Sequence, residues 1–364
     1  MKAIPFHALQ NAAAHGPIII INHCRWRCDI LIVLHNFPPS LIPTSEGFYE
    51  RASNLASRLK ESRQNYGLES SHYDQILETV LVELHELVGR PVIDRLQQLD
   101  IPEQSRIWWY PTSVFWSLPL HAMGPVPSDD GERRYFSDLY ICSYTPTLRA
   151  LIQSRKSHAP KPDSQHSLLL VAQPDSLPNA WDEIREVQNL ELPTTALLSS
   201  EATPKTVIEN LQNHTFVHFV CHGSLEGEPL DAAIELYRDR LTLRDIINFK
   251  NLRLLPAEFA FLSFCHSAEP IQTGDPTTEG LSIAAAMQYC GCGSVVGVMG
   301  WMPDLDGGVV AHHFYKRLLA DSPNSLGVPL GERSAKALYS AVKKLREKRG
   351  MTLERWVSWV HYGA

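Results

Sequence analysis

The 364-residue sequence predicts an α/β protein with a mostly parallel sheet and helices on both faces. In its second half, short apolar runs rich in branched residues alternate with segments of helical periodicity, the order that parallel βαβ units require. In its first half, similar runs flank two long helical segments. Hydrophobic residues make up 44% of the chain and charged residues 20%, so a core of ordinary size is available.

The first half contains four predicted strands and two predicted helices. The strands are short, continuous and apolar, whereas the second helix carries Val80, Leu84 and Val88 at helical spacing. Ser70 or Ser71 is its expected N-cap. The predicted strands are residues 17–22, 29–35, 106–111 and 139–144, and the predicted helices are residues 46–66 and 71–99.

A polar segment without periodicity, residues 154–166, separates the two halves and contains Pro160 and Pro162. We therefore predict an N-terminal α/β subdomain over residues 1–153, a linker over residues 154–166 and a second domain over residues 167–364.

The second domain repeats strand and helix. Thr203 is the expected N-cap of one helix, with Pro204 in its first turn. The predicted strands are residues 167–172, 196–198, 215–220, 259–264 and 294–299, and the predicted helices are residues 180–190, 203–212, 276–289 and 308–319.

Charge and hydropathy exclude several classes of partner. A formal net charge of −7 argues against a nucleic-acid partner, which requires a basic surface. The longest apolar runs are too short to span a bilayer, and the start of the chain lacks the pattern of a signal peptide. Seven cysteines, an odd number scattered through apolar segments, favour reduced thiols. These features predict a cytoplasmic protein without membrane association.

Two strands of the second domain end in reactive side chains. Strand 215–220 is followed closely by His222 and Gly223, and strand 259–264 is followed by Cys265. The carboxyl ends of parallel strands are where open sheets gather functional residues. If the two strands are neighbours, His222 can accept the thiol proton of Cys265 and so generate a nucleophile. The N–H groups of Gly223 and Cys265 are the expected oxyanion hole.

Motifs around this pair occur in the order found in the CHAT domain family, which they resemble. They are residues 218–223 (HFVCHG), 261–268 (FLSFCHSA), 294–299 (SVVGVM) and 304–307 (DLDG), with supporting segments at residues 106–112, 117–122, 229–233 and 361–363. The resemblance extends from about residue 15 onward. Members are caspase-like, separase-related cysteine peptidases of clan CD, and this chain looks most like the fungal ones.

The resemblance implies a caspase/hemoglobinase-like three-layer sandwich, with the first half as a degenerate caspase-like subdomain. It implies a site-specific cysteine endopeptidase of a signalling or defence pathway, with His222 and Cys265 as its dyad and neither cofactor nor metal. A protein or peptide substrate follows, and gasdermin-like proteins are the class cleaved by some relatives. A TPR superhelix often precedes this unit in relatives. None is visible here, so the resemblance implies a stand-alone form or an excised domain, with a TPR-type or regulatory partner upstream.

Specificity is also implied by the resemblance. Separase-like relatives bind a basic P1 side chain through an acidic residue after the strand that follows the catalytic one, and Asp304 matches that position, with Asp306 nearby. Ser263, two residues before the nucleophile, is a further expected lining residue of this S1 pocket. The implied preference is for arginine or lysine. The family usually has tryptophan directly after the strand, whereas here Gly300 precedes Trp301.

Other interpretations of the same residues remain open. Asp304 and Asp306 also fit the N-terminus of the predicted helix from residue 308, where carboxylates that precede the helix stabilise its dipole without touching a substrate. A catalytically silent caspase-like scaffold that binds a partner through the substrate groove is the main alternative function, and acyl transfer to an acceptor other than water is a third. The cysteines and histidines lack the paired spacing of a structural zinc site. His218 is expected in the core, and His266 in a structural role.

Overall fold

A computed structural model describes residues 4–125, 133–157, 166–226, 228–252, 257–270, 280–320 and 330–364. The chain divides into two compact units: Met1–Arg149 with Thr352–Val357 (unit 1), and Ala150–Met351 with Ser358–Ala364 (unit 2). None of the described helices has the length and apolar character needed to cross a lipid bilayer.

The strands and helices are numbered in chain order. The strands are β1 (Ile18–Asn22), β2 (Asp29–Val33), β3 (Ser40–Pro43), β4 (Arg106–Pro111), β5 (Ile141–Tyr144), β6 (Leu168–Ala172), β7 (Thr194–Leu198), β8 (Phe216–Val220), β9 (His222–Ser224), β10 (Ala233–Leu236), β11 (Asp239–Thr242), β12 (Phe259–Ser263), β13 (Ser294–Val298) and β14 (Trp359–Gly363). The helices are α1 (Phe6–Leu9), α2 (Phe48–Tyr66), α3 (Ser71–Leu84), α4 (Arg90–Gln98), α5 (Phe136–Leu139), α6 (Leu148–Ser157), α7 (Ala180–Gln188), α8 (Pro204–Leu211), α9 (Leu243–Leu252), α10 (Ile283–Tyr289), α11 (Asp304–Leu318), α12 (Leu330–Arg346) and α13 (Leu353–Val357).

Unit 1 is built on a sheet with the strand order β3-β2-β1-β4-β5. β1 pairs in parallel with β4, and β4 with β5, whereas β2 and β3 run antiparallel to their neighbours. His121 is buried in this unit. Its Nδ1 lies 2.9 Å from the Tyr144 hydroxyl and its Nε2 lies 2.8 Å from the Val357 carbonyl oxygen. Burial lowers the pKa of His121 to about 4.

The helix predicted over residues 71–99 is interrupted in the structure. Ser70 caps α3, as one of the two expected caps, by accepting the N–H of Tyr73. A π-helical turn, His85–Gly89, then separates α3 from α4. Pro91 is the second residue of α4, and a proline inside a helix removes one backbone donor and clashes with the preceding turn. The wider π-helical turn accommodates the missing backbone donor of the proline. Hydrophobic periodicity alone does not reveal such a turn.

Unit 2 is built on a sheet with the strand order β14-β13-β12-β8-β6-β7. All of its neighbouring strands pair in parallel except β14, which runs antiparallel to β13. Every residue of β6, β8, β12 and β13 is buried, as expected for parallel strands covered on both faces. A small antiparallel sheet, β11-β10-β9, lies beyond β8 in the sequence. The predicted α/β class with a mostly parallel sheet is confirmed.

Several helices begin or end at residues other than those predicted. Helix α11 begins at Asp304, four residues before the predicted start, so Asp304 and Asp306 both lie in its first turn. Helix α10 begins at Ile283, and the predicted start at residue 276 lies outside the described residues. Thr203 caps α8 as predicted. Of the predicted linker, residues 158–165 also lie outside the described part, and Ser157 ends helix α6. The sheet of β9, β10 and β11 was not predicted.

Candidate active site

The strands that precede His222 and Cys265 are neighbours in unit 2. Strands β8 and β12 pair in parallel, and each residue of β12 is opposite the residue 43 positions earlier, from Phe259 with Phe216 to Ser263 with Val220. The same 43 positions separate Cys265 from His222. Both residues follow their strands by two positions, so the two strand ends bring them to the same level of the sheet.

Gly223 lies directly against the backbone of Cys265. A Cβ atom at Gly223 would lie 2.2 Å from the carbonyl oxygen of Cys265 and 2.8 Å from a ring carbon of Phe264. Only a residue without a side chain permits this approach. Strand β9, which contains His222 and Gly223, therefore passes in contact with the turn that carries Cys265.

The thiol of Cys265 lies in a partly buried backbone cradle. Its Sγ donates to the carbonyl oxygen of Met302 and accepts the N–H of the same residue, each at 3.5 Å. Burial raises the pKa of the Cys265 thiol, and the carboxylates of Glu269 and Asp304 raise it further, whereas the Met302 hydrogen bond opposes the rise. The resting thiol is therefore protonated at neutral pH.

His222 is exposed at the start of β9. Within the described ranges, no group hydrogen-bonds its imidazole. His218, on the preceding strand, differs because it is fully buried and both its ring nitrogens are engaged. Of these two histidines, only His222 is placed to exchange a proton at the surface.

The turn after Cys265 is held in place by hydrogen bonds of a buried serine. Ser267 is fully buried, donates to the carbonyl oxygen of Leu262 at 3.2 Å and accepts the N–H of Val298 at 2.8 Å. His266 adopts a left-handed backbone conformation with φ of 62°. Its N–H donates to the Gly300 carbonyl oxygen at 2.6 Å, and its imidazole contacts the Glu269 carboxylate. These contacts agree with a structural role for His266.

Of the three residues expected at the S1 pocket, Asp304 alone is partly exposed and acts electrostatically on Cys265. It is half-buried, and its charge influences Cys265. Its carboxylate accepts the backbone N–H of Asn179 at 3.1 Å and the side-chain amide of Asn179 at 2.9 Å. Asp306 is fully buried in the same helical turn.

Ser263 belongs instead to a buried polar network beneath the strand ends. Its hydroxyl donates to one oxygen of Glu183 at 2.9 Å, and the other oxygen of Glu183 lies 2.9 Å from His218 Nε2. The Tyr315 hydroxyl lies 2.9 Å from Nδ1 of His218. Ser263 is 3% exposed, so this placement does not support its direct contact with a substrate.

Sequence analysis missed Glu183, Tyr315 and Asn179. A signal existed for Glu183, because it shares the buried stripe of α7 with Ala180, Ile184 and Val187. A charged residue on an apolar stripe requires buried partners. Asn179 and Tyr315 gave no comparable signal. Within the described residues, no three His, Cys, Asp or Glu side chains converge as a metal-binding group.

Fold and site together define a class: an α/β protein with the caspase-like cysteine peptidase fold, in which a histidine and a cysteine follow adjacent parallel strands. The sequence model of the CHAT domain matches residues 78–364. The chain belongs to the CHAT domain family. A comparison with curated proteins gave no match.

Solved structures of the Saccharomyces cerevisiae separase–securin complex are similar to this chain. One matches with a TM-score of 0.63 and 11% identity, covering 98% of this chain and 31% of the separase chain. A second matches with a TM-score of 0.60 and 12% identity, covering 98% and 30%. The complex of pro- and mature domains of Porphyromonas gingivalis RgpB matches with a TM-score of 0.48 and 11% identity, covering 88% and 77%. The chain thus spans about a third of the separase chains' length, and at these identities the likeness shows the fold.

Proposed function

We propose that this chain is a site-specific cysteine endopeptidase in which Cys265 attacks the scissile carbonyl and His222 transfers the proton. The observation that carries the proposal is the shared register of β8 and β12, reinforced by the contact of Gly223 with Cys265. The exposed imidazole takes the thiol proton as the bond to carbon forms, and returns it to the leaving amine. The N–H groups of Gly223 and Cys265 are the proposed oxyanion hole.

A base is needed in this mechanism because the resting thiol is protonated. A preformed thiolate would require a lowered thiol pKa, whereas burial and two carboxylates raise that of Cys265. His222 therefore acts during attack. Loss of a positioned general base typically lowers turnover by about 10² to 10⁴-fold.

For specificity, we propose that Asp304 binds a basic P1 side chain. Asp304 is two residues from Met302, whose backbone contacts the Cys265 sulfur, and the charge of Asp304 acts on the Cys265 thiol. The buried positions of Ser263 and Asp306 leave Asp304 as the proposed contact. Gasdermin-like proteins are a substrate class to test, within the proposed signalling or defence role.

A protein partner is a further part of this proposal, because the matching separase structures are complexes with securin. We also propose that unit 1 is a non-catalytic subdomain. Of its parallel strands, β1 is followed by His23 and Cys24, whereas β4 and β5 end at Pro111 and Tyr144 without either residue, so no histidine and cysteine follow two neighbouring parallel strands.

The test combines an electrophilic peptide probe with a peptide library that varies P1. The wild type should label at one cysteine and cleave peptides with arginine or lysine at P1. Cys265→Ala should lose both properties, and His222→Ala should lose turnover. Cys24→Ala, which removes another partly exposed free thiol, should retain both. A folded wild type that cleaves no peptide would support the silent scaffold instead.

A further inference from the structure

Asn179 and Asp304 form a two-point contact between the starts of helices α7 and α11. The backbone N–H of Asn179 donates to Oδ2 of Asp304 at 3.1 Å, and the side-chain amide donates to Oδ1 at 2.9 Å. Each carboxylate oxygen thus accepts one hydrogen bond from the same residue. A contact to both oxygens fixes the rotation of the carboxylate plane as well as its position.

The amide of Asn179 is not used to cap its own helix. Asn179 occupies the N-cap position of α7, where asparagine commonly accepts a backbone N–H of the first turn. Here no such side-chain bond forms, and the backbone of Asn179 has helical angles. The exposed amide is directed to Asp304, so its removal deprives the carboxylate, and not the helix, of a partner.

The two helices are held together closely enough to keep this contact in place. A Cβ atom at Gly308 of α11 would lie 3.3 Å from the backbone nitrogen of Glu183 in α7, and one at Gly307 would lie 2.2 Å from a carboxylate oxygen of Glu183. The glycines therefore let the two helices pack backbone against backbone. The Asn179–Asp304 contact lies one turn before this packing.

The remaining acceptor capacity of Asp304 suits a planar cation. An ionised carboxylate has about four lone-pair sites, and two are used by Asn179. Within the described part of the chain, no other group hydrogen-bonds Asp304. One lone-pair site therefore remains on each oxygen, and Asn179 fixes the plane in which these sites lie. A guanidinium donates two parallel N–H groups in one plane, whereas an ammonium is a point charge with no such requirement.

We propose that Asn179 is a positioning residue that makes Asp304 select arginine over lysine at P1 by fixing the plane of its carboxylate. This inference rests on the proposed peptidase function with Asp304 at S1. Without the amide, the carboxylate keeps its charge and its backbone N–H partner but rotates more freely. Bidentate pairing with arginine then weakens, while attraction to lysine is retained.

The experiment measures kcat/KM for two fluorogenic peptides that differ in P1 arginine or lysine alone. Asn179→Ala should lower kcat/KM for the arginine peptide by about tenfold, mainly through KM, and change the lysine peptide by less than about twofold. Asn179→Asp keeps the size but removes the donor and adds a charge. It should also lose arginine selectivity, and cleave the lysine peptide no more slowly than the wild type does. Asn189→Ala, at the exposed other end of α7, is the matched control and should leave both rates unchanged.

The outcomes separate this inference from the function on which it rests. Equal losses on the two peptides in Asn179→Ala would overturn the positioning role while leaving the peptidase function in place. A wild type that cleaves both peptides equally well would also overturn the positioning role and leave the peptidase function in place. A folded wild type that cleaves neither peptide would overturn the peptidase function, and the inference with it.

Discussion

Replacing Gly223 by alanine tests the geometry of the site most directly. The added methyl group would lie 2.2 Å from the Cys265 carbonyl oxygen, where ordinary contact begins at 3.4 Å, so the two backbones must separate by about 1.2 Å. That displacement occurs between the residue after His222 and the nucleophile itself. A misplacement of about 1 Å in a catalytic group lowers turnover by about 100-fold. Overpacking of this kind costs about 1–3 kcal/mol of stability, so the variant should still fold.

The assay is cleavage of the best peptide from the P1 library, with thermal unfolding measured on the same samples. Gly350→Ala is the matched control, because Gly350 has a φ of 77° but no neighbouring group lies within 4 Å of the point that its Cβ would occupy. Its backbone strain costs about 1–2 kcal/mol, a comparable loss of stability, without touching the site. The control should retain activity. If folded Gly223→Ala kept more than a third of wild-type kcat/KM, β9 would not be part of the catalytic geometry.

Three further predictions concern stability. The pKa of buried His121 is about 4, below the value of about 6.5 in the unfolded chain. Between these two pH values the unfolded chain binds more protons than the folded one. The free energy of unfolding therefore falls as pH falls through this window, by about 3 kcal/mol in all. Urea midpoints should drop from pH 7 to pH 5 in the wild type and less in His121→Gln; equal slopes would contradict this. Ser267→Ala leaves a buried N–H unpaired and should cost about 1–3 kcal/mol by urea unfolding, whereas Ser117→Ala, at an exposed hydroxyl, should cost little. Glu183→Ala removes the centre of the buried network and should cost about 3 kcal/mol or more of unfolding free energy. Glu186→Ala, in an exposed pair on the same helix, should cost less than about 1 kcal/mol. Similar losses in the two variants would show that the network contributes nothing to stability.

The parallel strands were predictable because each is a short apolar run with a distinct end. The spacing of His222 and Cys265 acquired meaning once β8 and β12 were placed side by side, since parallel pairing converts equal offsets in sequence into equal heights in the sheet. The three short strands β9–β11 were not predictable. They contain three or four residues each, too few for a period-two pattern to stand out.

Contacts between helices were the other part that the sequence did not reveal. In the sequence, Asn179 resembles an ordinary helix N-cap. Nothing in the neighbouring sequence predicts that its side-chain amide donates a hydrogen bond to a residue 125 positions later. The start of α11 was placed too late because Gly307 and Gly308 resemble a break in a helix. In the structure they are the residues that allow α11 to lie against Glu183. Close helix packing thus favoured glycine where helix propensity disfavours it.

The charges around Cys265 link substrate choice to reactivity under the proposed function. Burial is the largest cause of the raised thiol pKa, and a bound substrate does not remove it. Of the two carboxylates that raise it further, Glu269 already contacts His266, whereas Asp304 accepts two neutral donors from Asn179 and, among the described residues, no others. A cationic P1 side chain would neutralise Asp304 and so lower the cost of forming the thiolate as His222 takes the proton. A neutral P1 side chain would leave that cost unchanged. Arginine and lysine should therefore raise kcat as well as lower KM relative to a neutral side chain of similar size, such as citrulline, since the charge acts on the reacting sulfur.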